Sequence, residues 1–359
     1  MISYALRKIG YALLTLYGVV TVVFLLFYLL PGDPAQMMMG QNESADQLAI
    51  VKHKYGFDQS IGTQYLYFLN DLSPLSFHST KTSDFTYDDG LKYTSVALFT
   101  IGDIRTVLKF PYLRQSFQKT GKNVSTVIGE TLPNTMILAV AAISVALILG
   151  LFLGVISALY RDGWLDKFIQ VVSTMGGMSV PSFFSAILFA FLFGYVLHEF
   201  TGLKMSGSLY EMDDYGEAMH LQWSNLILPA IVLGIRPLAV ITQLMRNSLL
   251  EVMSQEYITT AYAKGLTNLQ VIKRHAFKNA LNPVVTAVSG WFASMLAGAV
   301  FVEYIFNWNG LGKEIVEALN TLDLPIITGA VLVIATLFII INIFVDVIYV
   351  WLDPRVKLD

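Results

Sequence analysis

The chain has 359 residues, of which 55% are hydrophobic and 14% charged, with a formal net charge of −3 and a mean hydropathy of +0.59. Average soluble domains contain about 45–50% apolar and about 25% charged residues. This composition therefore excludes a soluble enzyme and indicates a polytopic membrane protein.

Composition also narrows the chemistry. The sequence contains no cysteine, which excludes disulfides, thiolate catalysis and cysteine-bound metal centres. The 5 histidines never stand four residues apart, as two zinc ligands on one helix would. No basic tract indicates a nucleic-acid partner. We expect no catalytic residue, no metal site and no cofactor.

The first predicted element is an uncleaved signal anchor at residues 1–30. Arg7 and Lys8 precede a charge-free run over residues 9–30, which is too long for a signal peptide and lacks a small-residue cleavage site. About 20 apolar residues cross a bilayer, so this run is the first of six predicted spans. The other five cover residues 134–159, 168–197, 224–245, 284–305 and 326–350.

The positions of lysine and arginine predict that both termini are cytoplasmic. The two short loops on the opposite side contain only Lys204 and Lys313, as the positive-inside rule requires. Residues 31–133 then form an extracytoplasmic region. Its middle, about residues 74–110, predicts a small inserted subdomain with a strand over residues 94–101.

The remaining part, residues 134–359, is predicted to be a five-helix core with a cytoplasmic loop at residues 247–283. The loop sequence predicts a helix, a break at Gly265, and a second helix capped by Thr267 or Asn268. Long loops in compact domains are uncommon and are usually functional, and this one also keeps helical patterning. Docking onto another protein is therefore favoured over a plain connecting loop.

Several segments resemble one family of transport proteins. Residues 261–266 (AYAKGL) and 274–283 (RHAFKNALNP) resemble the EAA coupling loop of ABC importer permeases, most closely the dipeptide, oligopeptide and nickel branch. Six further segments are similar to that branch and follow the same order along nearly the whole chain. They are residues 29–35, 54–58, 64–66, 131–135, 303–312 and 353–355.

The resemblance implies an all-α, six-span channel-forming subunit of an ATP-driven importer for di- and oligopeptides in the cell inner membrane. Its implied partners are two ABC ATPase subunits, a second homologous permease subunit, an extracytoplasmic solute-binding protein and the lipid bilayer. The sequence lacks a phosphate-loop motif, which agrees with ATP hydrolysis on separate subunits. The residues that the resemblance assigns to ATPase coupling are Glu256, Ala261, Ala263, Lys264, Gly265, Leu266, Arg274, His275, Asn279 and Pro283.

Arg236 lies near the middle of the fourth predicted span, where a charge costs at least about 2.5–3.5 kcal/mol on insertion scales. It either lines the translocation path and attracts a substrate carboxylate, or it forms a buried pair or a snorkelling tether. The sequence favours neither.

Other functions stay open from the sequence. The same machinery would serve nickel or another small solute. A stand-alone secondary transporter would carry inverted repeats and several embedded ionisable residues. A membrane-embedded enzyme would need a catalytic motif that the spans lack.

Overall fold

The computed structural model describes residues 2–29, 33, 35–36, 44–82, 84, 86–87, 94–212 and 218–352. Most of the segment at residues 29–35 and all of residues 353–355, both parts of the family resemblance, lie outside this described set. The chain divides into two compact units. The larger unit contains Met1–Tyr4, Thr131–Glu314 and Thr336–Asp359, and the smaller unit contains Ala5–Glu130 and Ile315–Ala335.

The smaller unit begins with three helices. They are α1 (Ile2–Leu29), α2 (Ala45–Tyr55) and α3 (Ile61–Leu72). The side chain of Ser44 caps α2 by accepting the backbone N–H of Gln47 at 3.3 Å, as expected of an N-cap serine. Helices α1 and α3 meet where the hydroxyls of Thr21 and Tyr65 lie 2.6 Å apart and Phe24 stacks on Phe68.

A three-stranded antiparallel sheet follows α3 in the order β1-β3-β2. Its strands are β1 (Leu75–Ser79), β2 (Ser95–Ile101) and β3 (Ile104–Lys109). Strand β2 confirms the strand predicted over residues 94–101, and its Val96, Phe99 and Ile101 are of the β-branched and aromatic types that strands favour. The chain is therefore mostly helical rather than all-α.

Most of the remaining chain is helical. In order, the helices are α4 (Val124–Leu159), α5 (Trp164–Ser173), α6 (Ser182–Phe191), α7 (His198–Thr201), α8 (Ser224–Met253), α9 (Glu256–Ala263), α10 (Asn268–Val271), α11 (Phe277–Ala280), α12 (Asn282–Gly298), α13 (Val300–Ile305), α14 (Leu311–Thr321) and α15 (Leu324–Leu352). Turns of π-helix lie at Thr174–Met178, Leu192–Val196 and Ile272–Ala276. A two-stranded hairpin pairs β4 (Tyr210–Met212) with β5 (Met219–Leu221).

Four described helices are long and apolar enough to cross a membrane, and the number rises to six if each of two bent helix pairs is one span. The four lie in α1, α4, α8 and α15. They coincide with the first, second, fourth and sixth predicted spans.

The third and fifth predicted spans are not straight helices. The third is a pair, Trp164–Gly177 and Ser182–Val196, bent by 103° where Pro181 precedes α6; proline lacks the N–H that would continue a helix. The fifth predicted span, residues 284–305, falls in the second bent pair, Asn268–Ala280 and Asn282–Ala297, which bends by 48°. Its helix is also shorter than predicted, because α12 ends at Gly298 and α13 starts at Val300.

Helices α4 and α8 approach closely at two glycines. A Cβ at Gly154 would lie 2.8 Å from the backbone oxygen of Thr242 and 2.7 Å from the Cβ of Met245. Gly150, one turn earlier, meets Ile241 in the same way. Small residues four apart permit such backbone contact between membrane helices, so this pair fixes α8, the helix that leads into the predicted coupling loop.

Candidate functional site

The predicted coupling loop folds as two helices joined by a glycine turn. Helix α9 ends at a turn in which Gly265 has φ = +83° and donates its N–H to the Tyr262 carbonyl at 2.9 Å. Thr267 then starts α10 in a capping box with Gln270, whose side-chain oxygen accepts the Thr267 N–H at 3.0 Å. The helix, break and helix order is confirmed, and Thr267 rather than Asn268 is the cap.

One face of α9 belongs to the core of the larger unit. Ile258 and Ala261 are 1% and 5% exposed, and they share a cluster with Met245 and Leu249 of α8 and Ala280 of α11. Ala261, assigned to ATPase coupling by resemblance, therefore packs inside the unit. The loop is attached to α8 through apolar contacts as well as through the chain.

The other face of the loop is open. Eight of the ten residues assigned to coupling are exposed and Leu266 is half-buried. The exposed ones are Glu256, Ala263, Lys264, Gly265, Arg274, His275, Asn279 and Pro283. We call this surface the coupling face.

Three large side chains that the sequence reasoning did not select also lie on the coupling face. Leu269 is 71% exposed, and Tyr257 and Tyr262 are partly exposed. The tyrosine hydroxyls are held in place: Tyr257 accepts from the Asn279 amide at 2.9 Å and Tyr262 donates to Asn268. Exposed apolar groups with a polar rim are typical of a protein interface.

An ion pair between the half-buried Arg246 and the buried Asp166 lies at the end of α8 that leads to the loop. Arg246 donates to both carboxylate oxygens of Asp166, through Nε at 2.7 Å and Nη2 at 2.6 Å. Asp166 is 2% exposed and also accepts from the Ser157 hydroxyl and from the Asp162 N–H. The pair joins α4, α5 and α8, and no local sequence signal indicates it.

Arg236 lies in α8 on the wall of a cleft of about 520 Å³, measured with the part open to the surroundings. The cleft is also lined by Ser182, Ser185, Trp291 and Ser294. None of the residues assigned to coupling lines it, so the structure separates these two predicted features of the chain.

Residues 303–313, which we call the return loop, turn the polar groups of Glu303 and Trp308 inward. Glu303 is fully buried and its Oε2 accepts the backbone N–H of Gly312 at 2.7 Å and of Lys313 at 3.2 Å. Those N–H groups belong to the first turn of α14, where a negative charge is favoured. Trp308, also fully buried, donates its indole N–H to the Asn134 carbonyl at 3.1 Å.

Comparison with known proteins gives two family matches. Residues 150–358 match the family described as "Binding-protein-dependent transport system inner membrane component". Residues 1–81 match the corresponding N-terminal family of such membrane components.

Curated relatives match over the full length. The chain is 31% identical to the dipeptide transport system permease protein DppB of Alkalihalophilus pseudofirmus, covering 99% of this chain and 100% of the relative. It is 32% identical to the di/tripeptide transport system permease protein DppB of Pseudomonas aeruginosa, with 99% of each chain covered. It is 34% identical to a putative peptide transport system permease protein of Brucella abortus, with 100% of each covered.

Among solved structures, the chain is similar to the membrane subunit in an inward-facing structure of the MetNI methionine ABC transporter. The TM-score is 0.50 at 16% identity, and the match covers 64% of this chain and 97% of the other. This likeness concerns the fold.

Proposed function

The chain belongs to the binding-protein-dependent transport system inner membrane components, in the peptide branch of the ABC importer permeases, and from that premise we propose that it is the channel-forming subunit of an ATP-driven importer of di- and oligopeptides. The observation that carries the proposal is the two-sided coupling loop. Its inner side is built into the bundle core, while the coupling face is left open.

This arrangement suits the transmission of force. ATP-driven closure of two separate ATPase subunits would move a helix seated in their groove, and a rigid connection is needed to pass the movement on. Ile258 contributes to that connection, because it belongs to the same buried apolar cluster as Met245 and Leu249 of α8. Because packed cores shift as rigid bodies rather than deforming continuously, displacement of α9 would rock α8.

The chemistry of the coupling face also fits a protein partner. Leu269 would fill an apolar pocket, since an exposed side chain of this kind in a polar rim is a typical interface anchor. Arg274 and Lys278 are exposed on the second half of the loop and would meet acidic groups. The sign of these charges predicts an acidic rim on the ATPase groove.

We further propose the remaining features of the assembly. Six spans with both termini in the cytoplasm place the coupling face on the cytoplasmic side, where ATP is available. A second homologous permease would complete the pore, and an extracytoplasmic solute-binding protein would deliver the peptide to the opposite side. Residues 31–133, with the sheet at residues 75–109, would lie on that outer side.

The test is affinity purification of the tagged chain from detergent-solubilised native membranes, with identification of every co-purifying protein. We expect an ATPase with a phosphate loop and a second permease. A Gly265→Glu variant, which places a charged side chain on the coupling face, should lose the ATPase and keep the second permease.

Gly202→Glu is the matched control. Gly202 also has a positive φ, +67°, and also has no atom within 4 Å of its missing Cβ, but it lies outside the coupling loop. It should therefore retain the ATPase. A wild-type chain that is recovered alone would contradict the proposed function, and equal ATPase loss in both variants would contradict the role of the coupling face.

A further inference from the structure

In the part of the chain that the structure describes, Arg236 has no counter-charge. It is exposed in the middle part of α8, and among the described residues no ion pair or hydrogen bond engages its guanidinium. An arginine at this depth of a membrane helix normally faces a wet cavity or a partner. Because no acid among the described residues pairs with Arg236, we expect its binding partner in the cleft that Arg236 lines.

The cleft presents hydrogen-bond donors. Ser182, Ser185, Ser294 and Trp291 line it, and each of their side chains has one hydrogen-bond donor, a hydroxyl in the serines and the indole N–H in the tryptophan. Within the described part of the chain, none of these four side chains has a hydrogen-bond partner, and no acidic side chain lines the cleft. Ser185 is only 7% exposed. A buried hydroxyl normally has a hydrogen-bond partner, so an unpaired one beside a cleft indicates a binding site.

A set of one guanidinium, three hydroxyls and one indole N–H is suited to a small anion with several acceptor oxygens. Arginine binds carboxylates through two parallel N–H bonds, and such charge-assisted bonds are stronger than neutral ones. Phosphate would fit the donors equally, but the premise of a peptide importer supplies a carboxylate at the end of every substrate.

A second, apolar cleft adjoins the first. It has a volume of about 950 Å³, again with its open part, and shares Gly176, Val180, Ser185 and Ile235 with the Arg236 cleft. Its other lining includes Phe168, Phe184 and Leu188. An apolar side chain next to the bound carboxylate would find matching surface there.

We propose that the Arg236 cleft is a carboxylate site within the permease, which holds the C-terminal carboxylate of a transiting peptide. The proposal rests on the function proposed above and adds selectivity in the membrane subunit itself. Arg236 and Ser185 bind the carboxylate, and Ser182, Ser294 and Trp291 complete the donor set.

The experiment uses the complete importer, reconstituted in proteoliposomes with ATP and saturating solute-binding protein. The probe is radiolabelled alanyl-leucine, supplied as the free acid and as the C-terminal amide, with occupancy of the binding protein by each form matched beforehand. The wild-type complex should import the acid about tenfold faster than the amide, the size expected for a lost charge-assisted hydrogen bond.

Arg236→Gln should slow import of the acid to the rate of the amide and leave the amide rate unchanged. Arg236→Lys, which keeps the charge, should keep part of the preference. Ser185→Ala should reduce the preference two- to threefold. Ser144→Ala is its matched control, because the Ser144 hydroxyl already donates to the Val140 carbonyl at 2.7 Å; this variant should behave as wild type.

An Arg236→Gln complex that keeps the acid preference would overturn the proposal. Equal slowing of both forms would overturn it too, since that pattern is expected if Arg236 pairs with an acid of the second permease. If the Arg236→Gln chain does not assemble into the importer, the double variant Ser185→Ala/Ser294→Ala tests the proposal instead. An unchanged preference of that variant for the acid over the amide overturns the proposal. A wild-type complex that imports neither peptide contradicts the proposed function instead.

Discussion

The coupling loop and the return loop are built on opposite plans. Both lie in the larger unit and both have large side chains in its core, Ile258 in one and Trp308 in the other. The return loop then uses its one carboxylate, Glu303, to bind its own backbone. The coupling loop leaves Glu256 and Leu269 exposed. The comparison teaches that the carboxylate of the return loop has a structural role, whereas the exposed groups of the coupling loop are available for the docking proposed above.

The largest effect should come from the ion pair at the base of the coupling loop. Arg246→Ala leaves the buried Asp166 carboxylate without its partner, which should lower the free energy of unfolding by about 3–5 kcal/mol. Unfolding of the purified chain in mixed detergent–SDS micelles measures it. The control is Arg161→Ala, because Arg161 pairs with Asp162 at 3.3 Å on an exposed surface and should cost below about 1 kcal/mol. Similar losses in the two variants would contradict the anchoring role.

The second prediction separates the two faces of the coupling loop. Ile258→Ala opens a cavity in the core and should cost about 2–4 kcal/mol of stability. Leu269→Ala, on the coupling face, should change stability by less than about 0.5 kcal/mol but reduce recovery of the ATPase. The same unfolding titration and the affinity purification measure the two outcomes. A destabilised Leu269→Ala chain would show that the exposed face has a structural role.

The third prediction concerns the return loop. Glu303→Gln replaces the carboxylate at the start of α14 by a neutral amide, whose oxygen accepts the N–H groups of Gly312 and Lys313 more weakly and whose NH2 group is left buried, so it should cost about 1–3 kcal/mol. ATPase recovery should stay at the wild-type level. Glu199→Gln, at an exposed position in α7, is the control and should change stability by less than about 0.5 kcal/mol. If a folded Glu303→Gln chain no longer recovered the ATPase, the return loop would also take part in ATPase binding, which contradicts its purely structural role.

The smallest effect is expected at the glycine turn. A Cβ at Gly265 meets no atom within 4 Å, so Gly265→Ala should cost only the backbone strain of a positive φ, about 1 kcal/mol. Gly62→Ala is the control, because Gly62 is also free of contacts but lies inside α3, where alanine is favoured over glycine. Its stability should equal or exceed that of wild type. If Gly265→Ala were also as stable as the wild type, the turn would readily adopt another conformation.

Local patterns were sufficient for much of the fold. Long apolar runs predicted the four long helices because crossing a bilayer requires about 20 apolar residues. Gly265 predicted the turn of the coupling loop and Thr267 or Asn268 its cap, because left-handed backbone and N-capping each favour particular residue types; the structure selects Thr267. The bends of the third and fifth spans were not predicted in full, because a break depends on how neighbouring helices satisfy the freed backbone groups.

The candidate sites were predictable only in part. Ala261 and Ala263 stand two residues apart and look equivalent in the sequence, yet the fold buries the first and exposes the second. Arg246 and Asp166 are separated by 80 positions, so their pairing has no sequence signature. Which side of the coupling loop is exposed depends on which side packs into the core, and the sequence does not show that.

By itself, the sequence determined that this is a polytopic membrane protein with an amphipathic helix, turn and helix between two spans, because periodicity, capping and hydropathy are properties of neighbouring residues. Tertiary structure decided which faces are used: Ile258 in the core, Leu269 on the coupling face, Glu303 on its own backbone and Arg236 beside a cleft of unpaired donors. Those outcomes depend on which helices pack together, and contacts between residues far apart in the chain leave no local pattern to read.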